Sequence, residues 1–300
     1  MSCVLAPDNI LHDTQLFRVI YEGVGEVLPC GLSYAVAGIA ISVRQSLAQQ
    51  SLAQPADQPF DRLQRWRNRW EGAANGTQTL GWHIPEPHHA LVKFLDQLLP
   101  GDREPTQTSV LFPLSGKSID LGFLASVGYR VVGVEAVPLA NTALLAGFGD
   151  EAPPRPLKSN FTVRTALSPE YDNITVVEGD FCAYDAAANE QAVGRAHDAA
   201  FDRGALVAVR PEDREAYARA LTSVLAPGAR VLLVAVEHDP FSGGSLGPPF
   251  EVTAADVRSL YGAAFEIREL SRENRLSVEP QLRARGCTRF EEVVYLLKKN

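Results

Sequence analysis

The chain has 300 residues, a formal net charge of −8, 46% hydrophobic residues and 21% charged residues. These values are typical of a globular protein with one large or two small domains, and the acidic balance argues against a nucleic-acid-binding surface. Four scattered cysteines have no metal-ligand spacing, which predicts a reducing compartment and no metal site.

Residues 1–55 contain no recognisable motif, so we predict an N-terminal extension followed by one domain at 56–300. Residues 33–43 are apolar, but this run is too short to span a bilayer, and we expect no membrane contact. Acidic residues before it are atypical of a signal peptide, which favours a cytoplasmic protein.

Residues 56–100 are predicted to form N-terminal helices and a lid. Leu63, Trp66 and Trp70 share one helical face with Phe60, and arginines occupy the other faces. A glycine-containing stretch leads to Trp82, and a second helix is predicted near residues 88–99.

The clearest unit runs from Ser109 to Glu135. An apolar run at 109–113 predicts a buried strand, a turn follows at 114–118, and apolar residues from Ile119 recur at helical spacing until Gly128. A second apolar strand ends at Glu135. Parallel strands bind ligands at their carboxyl ends, and an acid there accepts hydrogen bonds from both hydroxyls of a ribose.

Two other nucleotide sites fit this turn poorly. Gly116-Lys117-Ser118 imitates the end of a phosphate-binding P-loop, but Leu111 stands where that motif needs a glycine. A dinucleotide site needs three spaced glycines, and the turn has one. A ribose-binding acid without a phosphate cradle suits a nucleoside without phosphate, such as S-adenosylmethionine.

The rest of the chain predicts a doubly wound α/β fold. Helices separate most strands, which favours a parallel sheet with helices on both faces. The connection before the last strand has no clear helical pattern, so that strand is predicted to pair antiparallel. The further strands are expected at 174–177, 198–201, 230–236, 265–270 and 290–297, and the further helices at 138–145, 211–225 and 253–261.

From about Leu63 to its end, the chain resembles the thiopurine S-methyltransferase family. Two departures are a serine at Ser115, where the family usually has cysteine, and a longer segment between Trp70 and Trp82. The matching pieces are Trp66, Trp70, Trp82-His83, Phe112-Pro-Leu-Ser-Gly-Lys-Ser118, Val131-Val-Gly-Val-Glu135, Asp202-Arg-Gly-Ala-Leu-Val-Ala208, Asp239-Pro240 and Gly247-Pro-Pro-Phe250.

This resemblance implies a Rossmann-like methyltransferase sheet of seven strands, mostly parallel, with S-adenosylmethionine as cofactor. It places the acceptor substrate against Trp82 and Phe250. Alternatives remain: Asp180 and Phe181 fit a turn acid beside a core ring, Arg203 fits an ion pair, and Trp82 fits the core. The cofactor residues implied are Trp66, Leu114, Glu135, Asp180, Phe181 and Arg203.

The resemblance further implies a monomer that methylates the sulfur of thiopurines or other small thiols. A thiol with anionic character attacks a sulfonium methyl without a general base, so positioning suffices and we expect no catalytic residue. His83, His88 and His89 are therefore interpreted as surface or hydrogen-bonded histidines. Two alternatives are methylation of other soft nucleophiles (halide, hydrosulfide, selenium or tellurium species) and cofactor binding without turnover.

Overall fold

The computed structural model describes residues 61–101 and 103–300. Residues Trp66–Asn300 form one compact unit around a nine-stranded sheet with the order β3-β4-β5-β2-β1-β6-β7-β9-β8. The predicted extension at 1–55 lies outside the described residues, and the domain start at 56 stays a prediction. The strands are β1 Ser109–Pro113, β2 Arg130–Glu135, β3 Arg155–Pro156, β4 Thr162–Thr165, β5 Ile174–Glu178, β6 His197–Arg203, β7 Leu225–His238, β8 Phe265–Asn274 and β9 Phe290–Lys299.

Helices cover both faces of this sheet, as predicted. One face carries the buried side chains of α6, α7 and α8, and the other face those of α2, α3 and α4. The helices in the described residues are α1 Gln64–Ala74, α2 His89–Lys93, α3 Leu95–Leu98, α4 Ile119–Ser126, α5 Pro138–Leu145, α6 Ala186–Val193, α7 Arg214–Val224, α8 Ala254–Tyr261 and α9 Pro280–Ala284.

The centre of the sheet is parallel, and its last strand is antiparallel. Strands β5, β2, β1, β6 and β7 run parallel, whereas β9 pairs antiparallel with both β7 and β8. The fold class is confirmed, but the prediction of seven strands was wrong. Strands β3 and β4 were missed because β3 has two residues, one of them proline, and β4 is a short polar Thr-Val-Arg-Thr stretch.

The sequence signals for the ends of two helices were confirmed. Gly128 follows α4 with a φ of 101°, a conformation that glycine adopts without steric cost. Thr253 and Asp256 form the expected capping box at the start of α8. Helices α6 and α9 were missed because α6 is a mixed Ala-rich stretch and α9 has only five residues.

In the described part of the chain, no helix is long and apolar enough to cross a membrane. The expectations of a cytoplasmic location and a monomeric state stay predictions.

Candidate functional site

The candidate site lies at the carboxyl edge of the parallel strands. Strands β1, β2, β5 and β6 end there at Pro113, Glu135, Glu178 and Arg203. Glu135 and Glu178 are direct partners in the parallel register of β2 and β5. The loops that follow these four strands therefore meet at one edge, as parallel topology requires.

The loop after β1 lies tightly against β2. Leu114 has a φ of 44°, an uncommon conformation for a residue with a side chain. Ser115 is buried, and a Cβ atom added at Gly133 would lie 2.7 Å from its Oγ atom. A side chain at Gly133 would therefore push this loop away from the strand end.

Glu135 is a buried carboxylate held by backbone groups. Its Oε2 accepts from the Gly116 N–H at 3.0 Å and its Oε1 from the Val137 N–H at 2.8 Å. Desolvation raises the pKa of Glu135, and these backbone hydrogen bonds oppose the increase. Each carboxylate oxygen has a second acceptor position. Glu135 is thus oriented and still able to accept two hydrogen bonds from a ligand.

A network of polar side chains holds the ends of the neighbouring strands β2 and β5. The Asn141 amide donates to the Glu135 carbonyl at 3.2 Å and to Glu178 Oε2 at 3.1 Å. Arg164 Nη1 donates to the same Glu178 oxygen at 2.9 Å and also pairs with Glu151. Glu178 is therefore neutralised by a cation, whereas Glu135 has no cationic partner within the described ranges.

The environments of Asp180 and Phe181 in the turn after β5 agree with the alternative of a turn acid beside a core ring, and their cofactor roles stay predictions. Asp180 accepts from the Cys182 N–H at 3.0 Å. The Phe181 ring is only 2% exposed and lies 5.0 Å from the Tyr217 ring and 6.3 Å from the Tyr184 ring. The ring is a core side chain, so a cofactor contact at Phe181 would come from its backbone.

Arg203 ends β6 and tethers the lid segment rather than its neighbour. Its Nη1 donates to the Trp82 carbonyl. Asp202 makes no ion pair with it, because its carboxylate accepts from the Leu206 N–H at 3.0 Å and from the Tyr217 hydroxyl at 2.7 Å. The ion pair considered for Arg203 is thus not formed with its neighbour Asp202. Burial lowers the pKa of Arg203.

Three tryptophans form an aromatic wall beside this edge. The Trp82 ring packs edge-on to Trp66 at 5.6 Å and to Trp70 at 6.4 Å between centroids. Trp70 forms a buried cluster with Val137 and Ala140, which follow Glu135, and Trp66 and Trp82 pack against this cluster. The predicted cofactor residue Trp66 and the predicted acceptor residue Trp82 therefore contact each other.

Phe250 lies on a second segment that borders Arg203. Its N–H donates to the Val207 carbonyl at 2.6 Å, and its side chain is half-buried. Val207 belongs to the turn that follows Arg203, so the Phe250 segment is attached to the same strand end as the Trp82 segment.

His83 is a neutral imidazole among cations. Burial, together with the smaller effect of the charges of Lys117 and Arg203, lowers its pKa to about 4. The side chain makes no hydrogen bond to any described residue. At neutral pH it therefore carries no charge, and it is a weak base.

His88 and His89 contact one carboxylate, Glu292, at 3.4 and 2.7 Å. These three side chains have a spacing that could hold a metal ion. The Ala90 N–H donates to His88 Nδ1 at 3.3 Å, which favours the tautomer that donates from Nε2 to Glu292 over a metal ligand at that nitrogen. Burial would raise the pKa of Glu292, but hydrogen bonds from the two histidines lower it well below its usual range.

Sequence patterns missed three cations at this edge. Lys117 was considered only as part of a P-loop imitation, Arg69 as one of several polar-face arginines, and Arg285 lies in a stretch without pattern. A local sequence window could not identify them, because their common feature is the absence of a carboxylate partner among the residues that the structure describes.

Comparisons with known proteins agree with this arrangement. A family model described as thiopurine S-methyltransferase matches residues 61–300. The thiopurine S-methyltransferase of Xanthomonas campestris pv. campestris (strain 8004) is 32% identical over 235 residues, covering 78% of this chain and 98% of the relative. That of Aliivibrio fischeri (strain MJ11) is 33% identical over 233 residues, covering 78% and 97%.

Solved structures show the same fold at low identity. An S-adenosylmethionine-dependent methyltransferase from Anabaena variabilis has a TM-score of 0.54 and 14% identity, covering 81% of this chain and 96% of that chain. Phosphoethanolamine N-methyltransferase 2 of Haemonchus contortus, bound to phosphomonomethylethanolamine and S-adenosylhomocysteine, has a TM-score of 0.53 and 13% identity, covering 82% and 61%.

Proposed function

The chain belongs to the thiopurine S-methyltransferase family, and on that premise we propose that it methylates the sulfur of small aromatic thiols, thiopurines among them. Membership makes it a methyltransferase that uses S-adenosylmethionine as donor. When bound, this donor supplies a methyl group on a positively charged sulfur, which an electron-rich acceptor takes up.

The residues at the carboxyl edge fit the nucleoside part of such a donor. Glu135 keeps two acceptor positions for ribose hydroxyls, and Asp180 stands at the end of the neighbouring strand β5 for an adenine amine. The close turn at Leu114 presents backbone groups beside Glu135, with Trp66 on the other side. We expect these residues to hold the donor, with Phe181 contributing through its backbone.

The charges beside this edge favour an acceptor that reacts as an anion. Burial is the main reason why His83 stays unprotonated, and the positive charges of Lys117 and Arg203 act in the same direction. The same positive potential favours the ionised form of a thiol placed beside them. This is the single observation that carries the sulfur assignment. A thiolate needs no general base, and the chain's own task is to orient it and to exclude water.

Aromatic side chains on the lid favour a flat acceptor. Trp82 and Phe250 stand on the two segments tethered around Arg203. Stacking of an aromatic acceptor on such rings contributes about 0.5–1.5 kcal/mol beyond the burial of its surface. The aromatic wall therefore supports aromatic thiols over small inorganic anions.

A product assay tests this function. The protein is incubated with S-adenosylmethionine and, separately, with 6-mercaptopurine, thiophenol, phenol, aniline, iodide and hydrosulfide, and methylated products are identified by mass spectrometry. We expect thioethers from the two aromatic thiols and little or no product from phenol or aniline. Preference for iodide or hydrosulfide would replace the proposal with methylation of inorganic anions. Binding of the donor without any product would refute transfer.

A further inference from the structure

Two arginines contact the two acceptor-side segments, which carry Trp82 and Phe250. The Arg69 guanidinium lies 4.8 Å from the centroid of the Trp82 ring. The Arg285 guanidinium lies 3.5 Å from the centroid of the Phe241 ring and donates to the Pro248 carbonyl at 3.1 Å. Arg285 is therefore fixed to the loop that leads to Phe250, and Arg69 to the lid tryptophan.

No carboxylate of the described residues neutralises either arginine. Within residues 61–101 and 103–300, no carboxylate lies within 4 Å of either guanidinium, and Arg69 Nε is buried without a hydrogen-bond partner. Burial lowers the pKa of Arg69, and the charge of Arg285 lowers it further. The two cations are thus close enough to repel each other, although the chain as a whole carries a net charge of −8.

Two other arginines of the described residues do have carboxylate partners. Arg164 pairs with Glu151 and Glu178, and Arg272 pairs with three glutamates. A partly buried cation without a counter-ion costs free energy unless a ligand supplies the opposite charge. The Arg69–Arg285 pair therefore indicates an anionic group on the ligand.

We propose that the methyl acceptor is an aromatic thiol that also carries a carboxylate, and that Arg69 and Arg285 bind this carboxylate. A guanidinium donates two parallel hydrogen bonds to a carboxylate, a geometry that a lysine does not provide. The acceptor's ring then lies among the aromatic side chains of the lid, and its sulfur lies toward Arg203. This inference rests on the proposed function, because it names the acceptor of the same reaction.

Matched acceptors test the carboxylate directly. Values of kcat/KM are measured at saturating donor for 3-mercaptobenzoate and for its methyl ester, which has the same ring and thiol without the charge. We expect the wild type to prefer the acid at least about tenfold, as a charge-assisted hydrogen bond implies. Arg285→Gln and Arg69→Gln should each lower this acid-to-ester ratio by about tenfold or more.

Arg283→Gln is the matched control, because Arg283 is exposed on α9, two residues before Arg285, and loses the same charge. Its acid-to-ester ratio should equal that of the wild type. An equal fall in Arg283→Gln would mean that the overall potential, rather than a binding site, sets the preference, and would overturn the proposal.

Binding without turnover gives a second readout that does not need any variant to fold. Benzoate and benzamide are titrated into the wild type by calorimetry in the presence of S-adenosylhomocysteine. We expect benzoate to bind at least about tenfold more tightly than benzamide. Equal affinities, or an acid-to-ester ratio near one, would overturn the carboxylate site while leaving thiol methylation intact. Failure to methylate either thiol would instead refute the proposed function.

Discussion

The two edges of the central sheet differ in whether their charged groups have partners of opposite charge. At the amino edge, Asp198 accepts from Arg103, from Arg195 at 2.7 Å and from the Ser109 N–H at 2.9 Å. The adjacent His197 is fully buried, and both of its ring nitrogens are hydrogen-bonded at 2.8 Å. Every one of these groups is satisfied by the protein itself.

At the carboxyl edge Glu178 is paired with Arg164, but several other charged groups have no direct partner of opposite charge among the described residues. Glu135 has no cation beside it in the described residues, and Lys117, Arg203, Arg69 and Arg285 have no carboxylate within 4 Å there. The same strands end at both edges, so the fold does not demand this difference. Unpaired charges persist where a ligand completes them. The unpaired charges therefore distinguish the candidate site at the carboxyl edge from the amino edge of the same sheet.

Loss of the Arg203 charge should have the largest effect. We expect Arg203→Gln to lower kcat for an aromatic thiol about a hundredfold, in the range measured for loss of one charge-stabilising donor. The pH profile of kcat reports ionisations in the enzyme–substrate complex, so it should move to higher pH as the thiol becomes harder to ionise. Arg203→Lys, which keeps the charge, should retain the wild-type profile. A lower kcat with an unshifted profile would show a structural role only.

Removal of the strand-end acid should come next. Glu135→Ala should weaken S-adenosylmethionine binding by about 1.5–3 kcal/mol, the range for hydrogen bonds to a charged group. Asp198→Asn removes a carboxylate from the opposite edge and should leave the affinity unchanged while lowering thermal stability. Calorimetry measures both affinities. If the two variants bound equally well, Glu135 would have no place in the donor site.

His197 should make the free energy of unfolding depend on pH. Burial lowers its pKa to about 3, whereas an unfolded chain has a histidine pKa of about 6.5. The unfolded state therefore binds the proton first, and stability is lost as the pH falls below about 6.5. Between pH 7 and pH 5 this loss is about 2 kcal/mol.

The matched comparison is His197→Gln, followed by denaturant unfolding at both pH values. The variant should lack that part of the pH dependence, and groups elsewhere cancel in the difference. If wild type and variant lost the same stability on acidification, His197 would not be buried as a neutral group.

The smallest of these effects concerns the aromatic wall. Trp82→Ala should raise KM for an aromatic thiol several-fold, because ring stacking contributes about 0.5–1.5 kcal/mol, and should affect iodide less. Both acceptors are compared at saturating donor. Equal losses would assign Trp82 to support of the donor or the fold, which its contacts with Trp66 and Trp70 would explain.

Periodicity and strand-end chemistry predicted the parallel centre of the sheet and the position of Glu135. They could not predict β3 and β4, since two or four residues give no periodic pattern. Residue type alone could not decide the role of Phe181, because an aromatic side chain after a strand end can either face a ligand or belong to the core. In the structure the Phe181 ring belongs to the core, because it packs against the rings of Tyr184 and Tyr217 beneath the turn.

The central claim is that the carboxyl edge binds its acceptor as a thiolate. The most direct measurement is the pKa of thiophenol bound to excess protein with S-adenosylhomocysteine, read from the ultraviolet absorbance of the thiolate. The cations at this edge predict that bound thiophenol ionises at a lower pH than thiophenol in solution, and that Arg203→Gln reverses much of the shift. A bound pKa equal to or above the solution value would contradict the account.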